Sequence, residues 1–199
     1  MIKTLFATLA LLASGAHAAT VVDTGTPDGQ ALFGFALDGN DWVAAQVTFT
    51  QDSTVDAVLG HILGGDAGDT FDVSLFAAGV APRGTPLYTQ TATFGADGWN
   101  GVSGLSGWKV TAGDYWIEFE IQGDDSSNGT SVFDIGASHP VATTAFTSDG
   151  GFSYADDPIS FGLRVDATAV SAVPEPGSVA LMLAGIALLS TPGFVRRRR

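Results

Sequence analysis

From residue 31 onward the apolar side chains of this chain recur at every second position, a period that suits strands and leaves almost no room for amphipathic helices. In Tyr115-Trp116-Ile117-Glu118-Phe119-Glu120-Ile121-Gln122, the set Tyr115, Ile117, Phe119 and Ile121 points one way and Trp116, Glu118, Glu120 and Gln122 the other. Successive side chains of a strand alternate between the faces of its sheet, so the first set is expected in the core and the second in water. Residues 159–166 repeat the pattern, with Ile159, Phe161, Leu163 and Val165 inward and Ser160, Gly162, Arg164 and Asp166 outward. Further strands are predicted over 32–37, 42–50, 54–63, 70–77 and 87–94. The tracts between them, such as Asp38-Gly39-Asn40-Asp41, Gly64-Gly65-Asp66, Ala112-Gly113-Asp114 and Ser148-Asp149-Gly150-Gly151, carry the residues that make tight turns. Many short strands at this spacing, with no fixed repeat, predict an all-β fold: an antiparallel β-sandwich of jelly-roll or immunoglobulin-like kind.

Charge and cysteine usage remove whole classes of function. Between residues 19 and 173 there are 20 acidic residues against Arg83, Lys109 and Arg164. Such a surface repels phosphate backbones and anionic headgroups, which excludes nucleic acid as a partner. The chain has no Cys, so it can form no disulfide, thiolate nucleophile or zinc-thiolate site.

Both ends read as addresses. The N-terminal segment has Lys3, an apolar run over 5–12, and the small residues Ala16 and Ala18 in the A-x-A spacing of a signal-peptidase site, so residues 1–18 are expected to be a secretory signal peptide. At the other end, Pro174-Glu175-Pro176 precedes an apolar stretch over 178–189 and then Arg196, Arg197, Arg198 and Arg199. The prolines keep the first part extended. As a helix, residues 178–195 would measure about 27 Å, close to the roughly 30 Å hydrocarbon core of a bilayer. The arginines would stay on the cytoplasmic side of the inner membrane, leaving everything before Pro174 outside.

This order of parts resembles the PEP-CTERM sorting signal of Gram-negative bacteria. The resemblance implies recognition by an exosortase, cleavage near Pro174-Glu175-Pro176, and delivery from a transient inner-membrane anchor to the cell surface or matrix, in the company of exopolysaccharide and biofilm. The expected organisation is therefore a signal peptide (1–18), a β-sandwich ectodomain (19–172) and a sorting segment (173–199), the two terminal helices lying outside the fold. Val110-Thr111-Ala112-Gly113-Asp114-Tyr115-Trp116 is also similar to the turn and aromatic strand of the sandwich ectodomains that precede this signal.

Candidate chemistry in the body is thin. Only His61 and His139 survive removal of the signal, and Gly101-Val102-Ser103-Gly104-Leu105 lacks the last glycine of a nucleophile elbow. Glu118 and Glu120 would sit about 6.6 Å apart on one strand face, near the spacing of inverting glycosidases. Neighbours on one face project in parallel and cannot flank a sugar from opposite sides, so they are expected to be solvated carboxylates. Asp66, Asp69 and Asp72 form an acidic cluster of the kind that can hold Ca²⁺. Asp124, Ser126, Asn128 and Gly129 begin like an EF-hand loop, but Ile135 stands where its bidentate Glu belongs. No cofactor or metal ligand set is assigned. Among Trp42, Trp99, Trp108 and Trp116, the last could stack on a sugar beside Glu118, or be covered by a loop. The expectation is a secreted, non-enzymatic surface or matrix protein, with exosortase and signal peptidase as processing partners and extracellular polysaccharide as a candidate one. The alternatives are a carbohydrate-binding module or an anchored hydrolase.

Overall fold

The computed structural model describes residues 18–27, 35–121, 131–133, 143–157 and 161–170. The sorting segment, His139, the EF-hand-like residues Asp124, Ser126, Asn128 and Gly129, and most of the signal peptide lie outside the described residues. The alternating stretches form strands β1 (Ala18–Asp23), β2 (Phe35–Leu37), β3 (Trp42–Phe49), β4 (Ser53–Leu63), β5 (Thr70–Ala77), β6 (Tyr88–Thr93) and β7 (Gly98–Ser103). After these come β8 (Lys109–Val110), β9 (Gly113–Glu120), β10 (Ser131–Phe133), β11 (Thr144–Thr147), β12 (Ala155–Asp157) and β13 (Leu163–Ala169). There is no helix among the described residues.

All pairings are antiparallel and fall into two sheets, as the sequence predicts. The first runs β1-β13-β4-β10-β2, with β7 and β8 also on β4. Residues Ala57 to Gly60 of β4 pair with β13 and β7 at once, so those strands flank it on opposite edges. The second sheet runs β12-β11-β3-β9-β5-β6. Between them lies one apolar core, to which β3 contributes Val43, Ala45 and Val47, β4 Val55, Val58 and Ile62, β5 Phe71, Val73 and Leu75, and β9 Ile117 and Phe119. Phe119 lies at its centre, 6.2 Å from the Phe71 ring and edge-on to Phe161 at 6.3 Å. The inward residues Phe161, Leu163 and Val165 are fully buried, as the alternation predicts, whereas Ile159 lies outside the described residues.

Two expectations need correction. The alternation missed β1, β7, β8, β10, β11 and β12, which are short or built from Gly, Ala, Thr and Asp, so they show too few large apolar side chains to reveal a period. The larger correction concerns the outer face of β9. Trp116, Glu118 and Glu120, expected in water, are 1%, 1% and 5% exposed. Part of the cause is a second apolar cluster on the outer side of this sheet, made by Ala44, Phe76, Trp116 and Ala145 with Tyr154 packed against it.

The backbones of the first sheet reach a steric limit where β7 lies alongside β4. A Cβ on Gly101 would stand 2.2 Å from the Val58 carbonyl oxygen and 2.9 Å from Leu59 Cα, both backbone atoms that cannot turn aside. Gly101→Ala is therefore expected to lower unfolding free energy by about 3 kcal/mol, measured by urea titration. Gly104→Ala, with nothing within 4 Å of its Cβ, is expected to show only the smaller cost of its positive φ. Equal losses in the two variants would refute the close approach.

Candidate functional site

The register of the second sheet builds a row of side chains on its outer face. Glu118 stands between Ala44 of β3 and Ser74 of β5, and Ala145 of β11 lies beyond Ala44. Small neighbours on both sides leave room above the carboxyl group, which Tyr154 takes up. Glu120 is next along the strand and takes a hydrogen bond from Ser74 Oγ at 2.8 Å, while Ser74 and Thr89 share another at 2.9 Å. Trp116, on the other side of Glu118, donates its indole N–H to the Gly79 carbonyl at 3.0 Å. Trp116 is thus held under the 78–86 loop and is not a sugar platform.

The other wall comes from the turn after β11, and Asp149 holds it together. Its carboxylate accepts hydrogen bonds from Thr147 Oγ1 at 2.7 Å, the Ser153 amide at 2.9 Å and Ser153 Oγ. Gly150 and Gly151 adopt φ of 68° and 83°, the left-handed region that glycine enters without strain. At Gly151 space is limiting as well, since a Cβ would come within 2.5 Å of the Trp42 ring. Packed on Trp42 in this way, the turn lays Tyr154 over the sheet, where its phenol donates to Glu118 Oε1 at 2.5 Å. It also leaves Phe152 86% exposed at the rim. Arg83, from the facing loop, places its guanidinium 5.9 Å from the centre of the Tyr154 ring.

These elements enclose a cleft of about 460 Å³, with Glu118 and Glu120 in its lining and Trp42, Phe76, Phe152 and Tyr154 as its aromatic walls. The buried Trp42 indole nitrogen has no hydrogen-bond partner among the described residues. Burial pushes the Glu118 carboxyl up to about 8, the Tyr154 hydrogen bond pulling it down and the Glu120 charge pushing it further up. Burial and the adjacent Glu118 hold the Tyr154 phenol well above its ordinary value. Hydrogen bonds from Ser153 and Thr147 draw Asp149 down to about 2. At neutral pH the cleft therefore contains a protonated carboxyl, a phenol O–H, a second carboxyl group and a guanidinium at its edge.

The other candidates are dispersed. His61 lies edge-on to Trp99 at 5.3 Å, with its Cβ against Gly162. Trp99 also carries Arg164 at 4.5 Å, and Trp108 stacks on Tyr88 at 5.6 Å. Ser103 ends β7 opposite Ala57, remote in sequence register from His61, which pairs with Trp99. Asp69 accepts from the Asp66 amide at 3.0 Å, and Asp72 accepts from Thr91 across the β5–β6 pair at 2.6 Å. Among the described residues no three His, Cys, Asp or Glu side chains converge as a metal site would require. Sequence reasoning named Glu118, Glu120 and Trp42 but missed Tyr154, Phe152 and Arg83, which reach the cleft from loops that carry no periodic signal.

Residues 172–199 match the PEP-CTERM protein-sorting motif, a match that spans Pro174-Glu175-Pro176 and Arg196 to Arg199. The motif implies export, processing by an exosortase, and a surface or extracellular location. No curated protein matches the chain.

The buried Glu118 gives stability a pH dependence of definite sign. Its folded value of about 8 exceeds the ordinary 4.5, so between those limits the folded protein keeps a proton that the unfolded chain has released. Its contribution is complete below about 4.5 and declines as pH rises towards 8, by at most about 1.4 kcal/mol per pH unit. Glu118→Gln keeps the carbonyl that accepts from Tyr154 and abolishes the titration. Urea unfolding at about pH 5, 6, 7 and 8 is expected to show the wild type losing ground to this variant at each step. A gap that stays constant or moves the other way would mean that Glu118 is ionised in the folded protein.

Proposed function

We propose that this protein is a non-enzymatic component of the cell surface or extracellular matrix, made with a cleavable signal peptide and freed by an exosortase from a transient inner-membrane anchor. The sorting motif at residues 172–199 carries this reading. Its setting is a surface rich in exopolysaccharide or biofilm, where a strongly acidic sandwich stays soluble by self-repulsion. Three features of the body favour a non-enzymatic role. Glu118 and Glu120 project in parallel from one face of β9, and Tyr154 and Ser74 occupy an oxygen of each. A glycosidase needs its acid and base on opposite sides of the scissile bond. His61 is packed against Trp99 in the β4–β7 pair, four positions along β4 from Ala57, the residue opposite Ser103.

Processing offers the direct test. Mature protein from producing cells should begin at Ala19 and lack Arg196 to Arg199, as read by intact mass. The double variant Pro174→Ala, Glu175→Ala should retain the arginines and stay with the membrane fraction. A wild-type mature species that keeps the four arginines would overturn sorting in favour of a permanent anchor.

A further inference from the structure

We propose that the cleft on the outer face of the second sheet binds a neutral polyhydroxylated ligand, a sugar ring or a short run of them. The proposal deepens the surface-protein reading and rests on it for the source of the ligand. The cleft's volume of about 460 Å³ lies in the range of small-molecule sites. Its chemistry is that of a pyranose seen from the protein: aromatic carbon to cover C–H faces, and polar groups of both senses to meet hydroxyls. Trp42, Phe76 and Phe152 supply the first, and Glu118, Glu120 and Arg83 the second.

Two observations point to an occupant of this kind. The Trp42 indole N–H, in a wall of the cleft, has no acceptor among the described residues, although a buried donor without a partner costs about 1–3 kcal/mol. Phe152, meanwhile, is held almost fully exposed at the rim by a turn whose hydrogen bonds and glycines fix it there. An apolar side chain so displayed gains by being covered.

Other ligand classes fit less well. An organic anion would meet two carboxyl groups. A cation would compete with Arg83, whose guanidinium already stands over the Tyr154 ring. A wholly apolar ligand would strip water from the exposed Arg83 and return nothing to it.

The experiment uses mature protein purified from producing cells and calorimetric titration with cellohexaose, laminarihexaose, maltohexaose, xylohexaose and mannohexaose. Tetramethylammonium chloride and polygalacturonate serve as cationic and anionic counter-probes. At least one neutral oligosaccharide is expected to bind. Phe152→Ala should weaken that binding by up to about tenfold with no change in melting temperature, since the side chain supports nothing in the fold. Trp42→Phe, which keeps an aromatic ring but removes the pyrrole half of the indole with its N–H, should weaken it as well. The proposal is overturned if no neutral oligosaccharide binds, if only a counter-probe binds, or if both variants bind as the wild type does. Processing of the C-terminal segment is read separately by mass, so failure of the ligand proposal and failure of the sorting reading give different results.

Discussion

Strand β9 is buried on both faces, and the layered architecture depends on it. Its inner row, Tyr115, Ile117 and Phe119, closes the core against the first sheet, while its outer row, Trp116, Glu118 and Glu120, is roofed by the loops after β5 and β11. A strand in the middle of a sheet must satisfy its backbone through its neighbours, and β3 and β5 do this along its length. The side chains then decide what each face can cover. Ile and Phe leave the inner face dry. Two carboxyl groups on the outer face require donors, which Tyr154 and Ser74 provide. The outer loops are thus tied to the sheet by the polar groups of β9 as well as by Trp116 and Phe76.

How far this could be read from the sequence depends on the element. Period-two alternation revealed the inner rows of β3, β4, β5, β9 and β13, because an aliphatic or aromatic residue at every second position needs a core whatever lies outside it. The same pattern misled on the outer row of β9. A Glu facing water and a Glu roofed by a distant loop leave the same mark in a local pattern, and the roof here comes from residues about 36 positions away along the chain. One signal was present: Trp116 shares its face with Phe76 across the β5–β9 pair, and two large aromatics side by side seldom remain in water. The register that makes them neighbours is a tertiary fact, however. Strand β7 was hidden for a different reason. Its buried positions include Asn100, which satisfies the amide of Gly95 and the carbonyls of Ala96 and Gly98, so polar bonding stands where an apolar periodicity would show.

The topology also separates the two functions argued for this chain. β1 and β13 lie antiparallel in the first sheet, with Ala18 opposite Thr168, so the start of β1 and the end of β13 share one corner. Val170, the last described residue, follows β13 at that corner, and the sorting motif comes after it in sequence. The cleft opens on the outer face of the second sheet, with the whole thickness of the core between it and the first. Because sandwiched sheets pack about 10 Å apart, processing or tethering at the β1–β13 corner and occupancy of the cleft need not compete for the same surface. A domain attached through one sheet and open on the far side of the other can be held at a cell surface and still present its aromatic rim outward. That separation follows from strand order alone and would hold whichever ligand fills the cleft.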